Sequence, residues 1–114
     1  MTAQTRLARF GEMVAAGYLE RRGAAIVGTN VPVGRGEIDL LVRFGDATVA
    51  VEVKTVGSAA MAADPVDRIS PAKLAQVRRL ASTLAARHGR LRVDFVGVRV
   101  GSEGVVVNWR TNVA

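Results

Sequence analysis

Residues 36–54 read GEIDLLVRFGDATVAVEVK, and this stretch decides the fold. Two runs, 36–43 and 47–54, alternate well enough for strands, and Gly45-Asp46 between them is a tight-turn signal. A two-residue loop there makes Phe44 face Ala47, and a four-residue loop centred on the same point gives the same register. Val42 then faces Val49, Leu40 faces Val51 and Ile38 faces Val53, so that side of the hairpin is wholly apolar and belongs in a core. The other side pairs Leu41 with Ala50, Asp39 with Glu52, and Glu37 with Lys54.

Asp39 opposite Glu52 is the anomaly. Like charges facing each other across a sheet are destabilising. A divalent cation removes the conflict, because two carboxylates about 5 Å apart at their Cβ atoms can share one hard ion such as Mg²⁺. Lys54 lies on the same face and sets an ammonium beside that ion. The plainer alternative is a wet, charged outer face of an edge hairpin, with Lys54 screening both acids.

Working outward, residues 3–22 predict a helix, with Leu7, Phe10, Val14, Ala15, Tyr18 and Leu19 at helical spacing and Gly23 as its stop. Residues 24–31 predict a short strand, closed by a loop or bulge at Pro32 and Gly34. Residues 56–69 are small and polar, include Asp64-Pro65, and read as a loop. Ser70 and Pro71 open a second helix that runs to about His88, burying Leu74, Val77, Ala81 and Leu84, with Gly89 ending it. Residues 91–100 form a strand, 101–104 a turn, and VVVNW a last strand. The second helix can cross over to lay 91–100 parallel to 47–54. The expected fold is therefore α/β: an α-β-β-β-α-β core plus a final strand, with a mixed sheet flanked by helices.

The chain has 114 residues, which is the size of one domain, so 1–114 is read as a single unit. Apolar residues make up 49%, enough for one core and too many for wholesale disorder. Cysteine is absent and His88 is the only histidine, which excludes disulfide scaffolds, thiolate zinc sites and multi-histidine metal sites. No apolar run is long enough for a membrane span, and no signal-peptide pattern opens the chain, so a cytoplasmic protein with no membrane partner is expected. Net charge is +6, carried by 14 Arg and 2 Lys, a balance that favours nucleic acid, or else reflects an Arg-rich solvated surface.

Taken together, Asp39 followed by Glu52-Val53-Lys54 resembles the D…ExK core of PD-(D/E)xK nucleases. Closer still, the chain is similar to the YraN-like family of uncharacterised, endonuclease-like bacterial proteins, which resemble archaeal Holliday-junction resolvases. Gly36-Glu37-Ile38-Asp39-Leu40 and Val51-Glu52-Val53-Lys54-Thr55 carry most of the likeness. Gly11-Glu12, Gly23, Asn30, Pro71, Lys73 and Arg92-Val93-Asp94 extend it over nearly the whole chain. The chain departs from the family at Val56, where Arg is frequent, and in the segment Gly57 to Ala63, which lacks the usual aromatic.

The resemblance implies a restriction-endonuclease-like fold and a metal-dependent endonuclease that hydrolyses DNA phosphodiester bonds, with branched or damaged DNA as substrate. It implies Mg²⁺ or Mn²⁺ on Asp39, Glu52 and the Val53 carbonyl, with Glu12 reaching the ion directly or through water. Lys54 would activate the attacking water. Lys73, Arg78 and Arg79, with Arg87, Arg90 and Arg92, would track phosphates or simply be solvated. Glu37 is expected to orient neighbours rather than bind metal, Asp94 to cap or to pair with a nearby Arg, and Trp109 to pack or, if exposed, to stack on a base. A homodimer is a further expectation, since relatives of this fold often pair. The alternative function is a non-catalytic nucleic-acid-binding module on the same fold.

Overall fold

The computed structural model describes residues 1–57, 65, 69–89 and 91–113. The predicted loop 56–69 lies largely outside that set, as do the segment in which the chain departs from its family and Arg90. Within it, the element order is α1 (Ala3–Arg21), β1 (Ala25–Val33), β2 (Gly36–Phe44), β3 (Ala47–Gly57), α2 (Pro71–His88), β4 (Leu91–Gly101) and β5 (Gly104–Arg110). This is the expected α-β-β-β-α-β order with a fifth strand added, and it is consistent with a nuclease-like core. Among the described residues no helix is long and apolar enough to cross a membrane.

The five strands form one mixed sheet in the order β1-β2-β3-β4-β5. β3 and β4 run parallel, and the other neighbours are antiparallel. The parallel pair needs the long crossover that α2 supplies. Local chemistry sets the ends of both helices. The Thr2 hydroxyl accepts from Thr5 N and the Ser70 hydroxyl from Lys73 N, each at 3.1 Å. Gly23 follows α1 at φ +98°, a conformation costly for residues with a Cβ.

The hairpin pairs as the sequence predicts: Phe44 with Ala47, Val42 with Val49, and Leu40 with Val51. Both faces of the sheet are buried, so the side read as the site face also carries a core. On one face Ala15 and Leu19 of α1 pack on Leu40, Val42, Val49, Val51, Val96 and Val98. On the other, Val77, Ala81 and Leu84 of α2 pack on Ile38, Leu41, Ala50, Val93 and Phe95.

Four details differ from the sequence reading. Ile38 is expected on the face of Leu40 but sits on the opposite one with Leu41, because regular pairing with β3 stops at Leu40–Val51. For the same reason neither Asp39–Glu52 nor Glu37–Lys54 forms a ladder pair; at Glu37 only the β1 side of the strand is paired, with Pro32. Pro32 lies inside β1 rather than ending it, which an edge strand tolerates. Phe10, placed at core spacing, is 40% exposed.

Phe10 is displaced because Gly11 takes the buried position beside it. A Cβ on Gly11 would overlap the Thr55 side chain, so the missing side chain lets α1 lie directly on β3. Gly11→Ala is therefore expected to lift the helix and cost about 1–3 kcal/mol, the usual range for overpacking. Thermal denaturation checks this, and an unchanged melting temperature would show that the contact is not tight.

Candidate metal centre

The site forms where β2 leaves β3. One rung past Leu40–Val51, the Asp39 carboxylate takes the place of a backbone partner: its Oδ2 accepts the Val53 N–H at 2.8 Å. Asn30 lies between Thr29 and Val31, which pair with Leu40 and Ile38, and so stands opposite Asp39. It has φ +46°, a left-handed conformation that Asn accepts more readily than most residues. Ile38 is turned over at this point, and Asp39 beside it lines a cleft of about 700 Å³.

Glu12, Asp39, Glu52, Val53, Lys54 and Lys73 all line that cleft, so the structure brings the four proposed catalytic residues together. Glu12 arrives from α1, delivered by the close seat of Gly11, and its Oε1 accepts Asn30 Nδ2 at 2.9 Å. Glu52 is buried, 7% exposed, and its Oε1 meets the Lys73 ammonium of α2 at 3.1 Å. Its other oxygen, Oε2, is buried and meets no N–H or O–H donor among the described residues, although the carboxyl lies within hydrogen-bond reach of Asp39. Lys54 is exposed at the cleft and points to the same side of the strand as Glu52.

The electrostatics follow from this crowding. Burial, and then the neighbouring Asp39 charge, push the Glu52 carboxyl up to about 7, against the pull of Lys73. Asp39 is also raised, chiefly by burial, although the Val53 N–H and the Glu52 carboxyl favour its ionised form. Glu12 is raised by burial as well, with Asn30 opposing.

A buried carboxylate oxygen with no partner beside a second carboxylate is costly unless a cation or proton meets it. Two hard oxygen donors at an open cleft fit Mg²⁺ or Mn²⁺, which keep several waters and need few protein ligands. Among the described residues no three His, Cys, Asp or Glu side chains gather closely enough to supply a fuller set. Glu12 therefore stands behind the pair rather than beside it as an equal ligand.

The raised Glu52 carboxyl has a direct consequence for stability. The unfolded group titrates near 4.5 and the folded one near 7, so within that window the folded protein binds the extra proton. Stability should fall as pH rises through the window and level off above it. Glu52→Gln is expected to flatten that fall and to melt higher than the unaltered protein at about pH 8. Melting curves across pH check this; a variant that melts lower at alkaline pH would contradict it.

The remaining candidates separate. Lys73, read as a phosphate contact or a solvated charge, belongs to the carboxylate cluster. Arg78 lines a different hollow, beside Leu91 and Val93, and neither it nor Arg79 lines the cleft. Arg92 is held by Asp94, through Nε to Oδ1 at 2.9 Å and Nη2 to Oδ2 at 2.8 Å. Trp109 stacks on Phe44 with ring centroids 5.4 Å apart, as expected of a packing residue. Asn30 came into view only through the family likeness; an Asn facing an acidic strand position was the one local hint.

Comparison with known sequences agrees with the family expectation. The model of the uncharacterised protein family UPF0102 matches residues 11–98, which include every residue of the cleft named above. A UPF0102 protein of Leifsonia xyli subsp. xyli is 41% identical over 102 residues, covering 86% of each chain. One from Streptomyces griseus subsp. griseus is 39% identical over 112 residues, covering 94% of this chain and 93% of its own. One from Arthrobacter sp. strain FB24 is 44% identical over 102 residues, covering 86% of each.

Proposed function

The chain belongs to the uncharacterised protein family UPF0102, and from that premise, which carries no reaction with it, we propose that it is a divalent-cation-dependent endonuclease acting on DNA. One observation carries this reading: the Asp39 and Glu52 carboxyls lie side by side in the lining of an open cleft, with Glu52 Oε2 buried and meeting no N–H or O–H donor among the described residues. The likeness of GEIDL and EVK to the PD-(D/E)xK nucleases supports it, as does the net charge of +6, which draws the chain to polyanions.

The chain's own groups divide the work. Asp39 and Glu52 would hold the ion, Mg²⁺ or Mn²⁺, with the Val53 carbonyl completing the protein's share. Glu12, fixed by Asn30, would support it directly or through water. When bound, such an ion lowers the pKa of water and draws charge from a phosphoryl group. Lys54, on the same side of β3 and open to the cleft, orients the attacking water and faces the negative charge that grows at phosphorus. Without a cation the carboxylates would repel a phosphodiester, so the reading demands a strict metal requirement.

The test is a cleavage screen with purified protein over single-stranded, duplex, flap and four-way-junction DNA, with Mg²⁺ and with Mn²⁺. Cutting of at least one substrate that stops on chelation is the expected result. No cutting with any metal, together with salt-sensitive binding that survives Asp39→Ala, would establish the non-catalytic binding module instead.

A further inference from the structure

Lys73 is out of place by the ordinary rules of helices. It is the third residue of α2, in the first turn, where the exposed N–H groups make a positive charge unfavourable. That turn is well built: Ser70 caps it, its hydroxyl accepting the Lys73 N–H, and Pro71 opens it. An exposed lysine there could point to water. Instead its ammonium turns to the sheet and meets Glu52 Oε1 at 3.1 Å, with the Lys73 side chain 42% exposed and that of Glu52 only 9%.

The two oxygens of Glu52 are thereby made unequal. Oε1 is tied to the ammonium; Oε2 is buried and meets no N–H or O–H donor among the described residues, and the carboxyl it belongs to lies within hydrogen-bond reach of Asp39. Asp39 shows the same division, with Oδ2 tied to the Val53 N–H. Such partners fix a ligand's orientation and are commonly as important to affinity as contacts to the metal itself.

We propose that Lys73 is a positioning residue: by clamping Oε1 of Glu52 from the first turn of α2, it aims Oε2 at a divalent cation shared with Asp39. The inference rests on the metal-centre reading above. It removes Lys73 from the phosphate-tracking group and gives it a role that touches neither DNA nor the reacting atoms. Lys54 and Lys73 then have separate tasks, one facing substrate and one facing a ligand.

The test is Mn²⁺ binding by titration calorimetry, without DNA, at alkaline pH under anaerobic conditions. It compares the unaltered protein with Lys73→Met, Lys73→Gln and Lys73→Arg, each first shown by thermal melting to be folded. Charge alone would make the neutral variants bind Mn²⁺ more tightly, because a cation has left the site. Loss of the clamp predicts the opposite: both neutral variants weaken Mn²⁺ binding about tenfold, within the range for outer partners of metal ligands. Lys73→Arg keeps the ammonium's role in substance and should stay within about threefold. Duplex DNA binding in chelator should keep its salt dependence in all three, whereas a phosphate contact would lower the slope by about one. Unchanged or tighter Mn²⁺ binding in the neutral variants overturns the proposal. Failure of the unaltered protein to bind Mn²⁺ is a different result and overturns the metal-centre reading itself.

Discussion

Asp39→Ala is expected to abolish cation-dependent DNA cleavage while leaving a folded protein. Asp39 does two things at once. Its Oδ2 closes the end of the β2–β3 ladder through the Val53 N–H, and its charge forms half of the acidic pair. On the proposed metal-centre reading the substitution would remove a direct ligand, so the loss should exceed the roughly 100-fold ceiling typical of outer partners. Glu52→Gln should do the same by a cleaner route. It keeps the side chain's size in its buried place and deletes the charge that burial opposes. The second variant should thus be inactive yet more stable than its parent at alkaline pH. Single-turnover cleavage of whichever substrate is cut best, with circular dichroism as the fold check, reads both. A rate within about tenfold of the parent in either variant would remove the pair from the chemistry, since a ligand contributes more than that.

Asp94→Ala carries the largest expected cost in stability, and it lies away from the cleft. Asp94 is fully buried on β4 and is the hub of four hydrogen bonds. Arg92 supplies two, Trp109 Nε1 donates at 2.9 Å, and the Asn112 N–H donates at 2.8 Å. It thus ties β4 to β5 and to the chain's last described residues. Removing the carboxylate strands a partly buried guanidinium and two N–H donors. Breaking a buried ion pair from one side costs about 3–5 kcal/mol. Because Arg92 is about one-third exposed, water will recover part of that loss and favours the lower end. Urea denaturation measures it, and a loss under about 1 kcal/mol would show that solvent replaces the network. Specific cleavage by the folded fraction should be unaffected, which separates this aspartate from Asp39.

Much of this arrangement can be read in residues 36–54. The turn at Gly45-Asp46 and the wholly apolar face it creates fix the register from Phe44–Ala47 to Leu40–Val51. Helix α2 is equally legible, because Ser70, Pro71 and Gly89 punctuate it. What the alternation conceals is its own end. A strand pattern assumes one pleat throughout, so it continues the ladder to Asp39–Glu52 and puts Ile38 with Leu40. In the fold, the Asp39 side chain replaces the next rung and Asn30 adopts a left-handed conformation opposite it. The acids still converge, though through the divergence of β2 from β3 rather than as a facing pair. Helix α1 misleads in a related way. Its hydrophobic spacing favours Phe10 as core, whereas contact with Thr55 demands the neighbouring Gly11. Lys73 was visible as a charge, but its partner is 21 positions earlier in the chain, and only the packing of α2 on the sheet brings them together. Irregular strand geometry and long-range pairing are tertiary outcomes, and local pattern does not encode them.

The most direct test is diffraction from crystals soaked in Mn²⁺, collected for anomalous signal. The account predicts one strong peak per chain between the Asp39 carboxylate and Glu52 Oε2, about 2.1 Å from each, with Glu52 Oε1 still on Lys73. A cleft with no peak, or a peak bound elsewhere while the two carboxyl groups share only a proton, would contradict it.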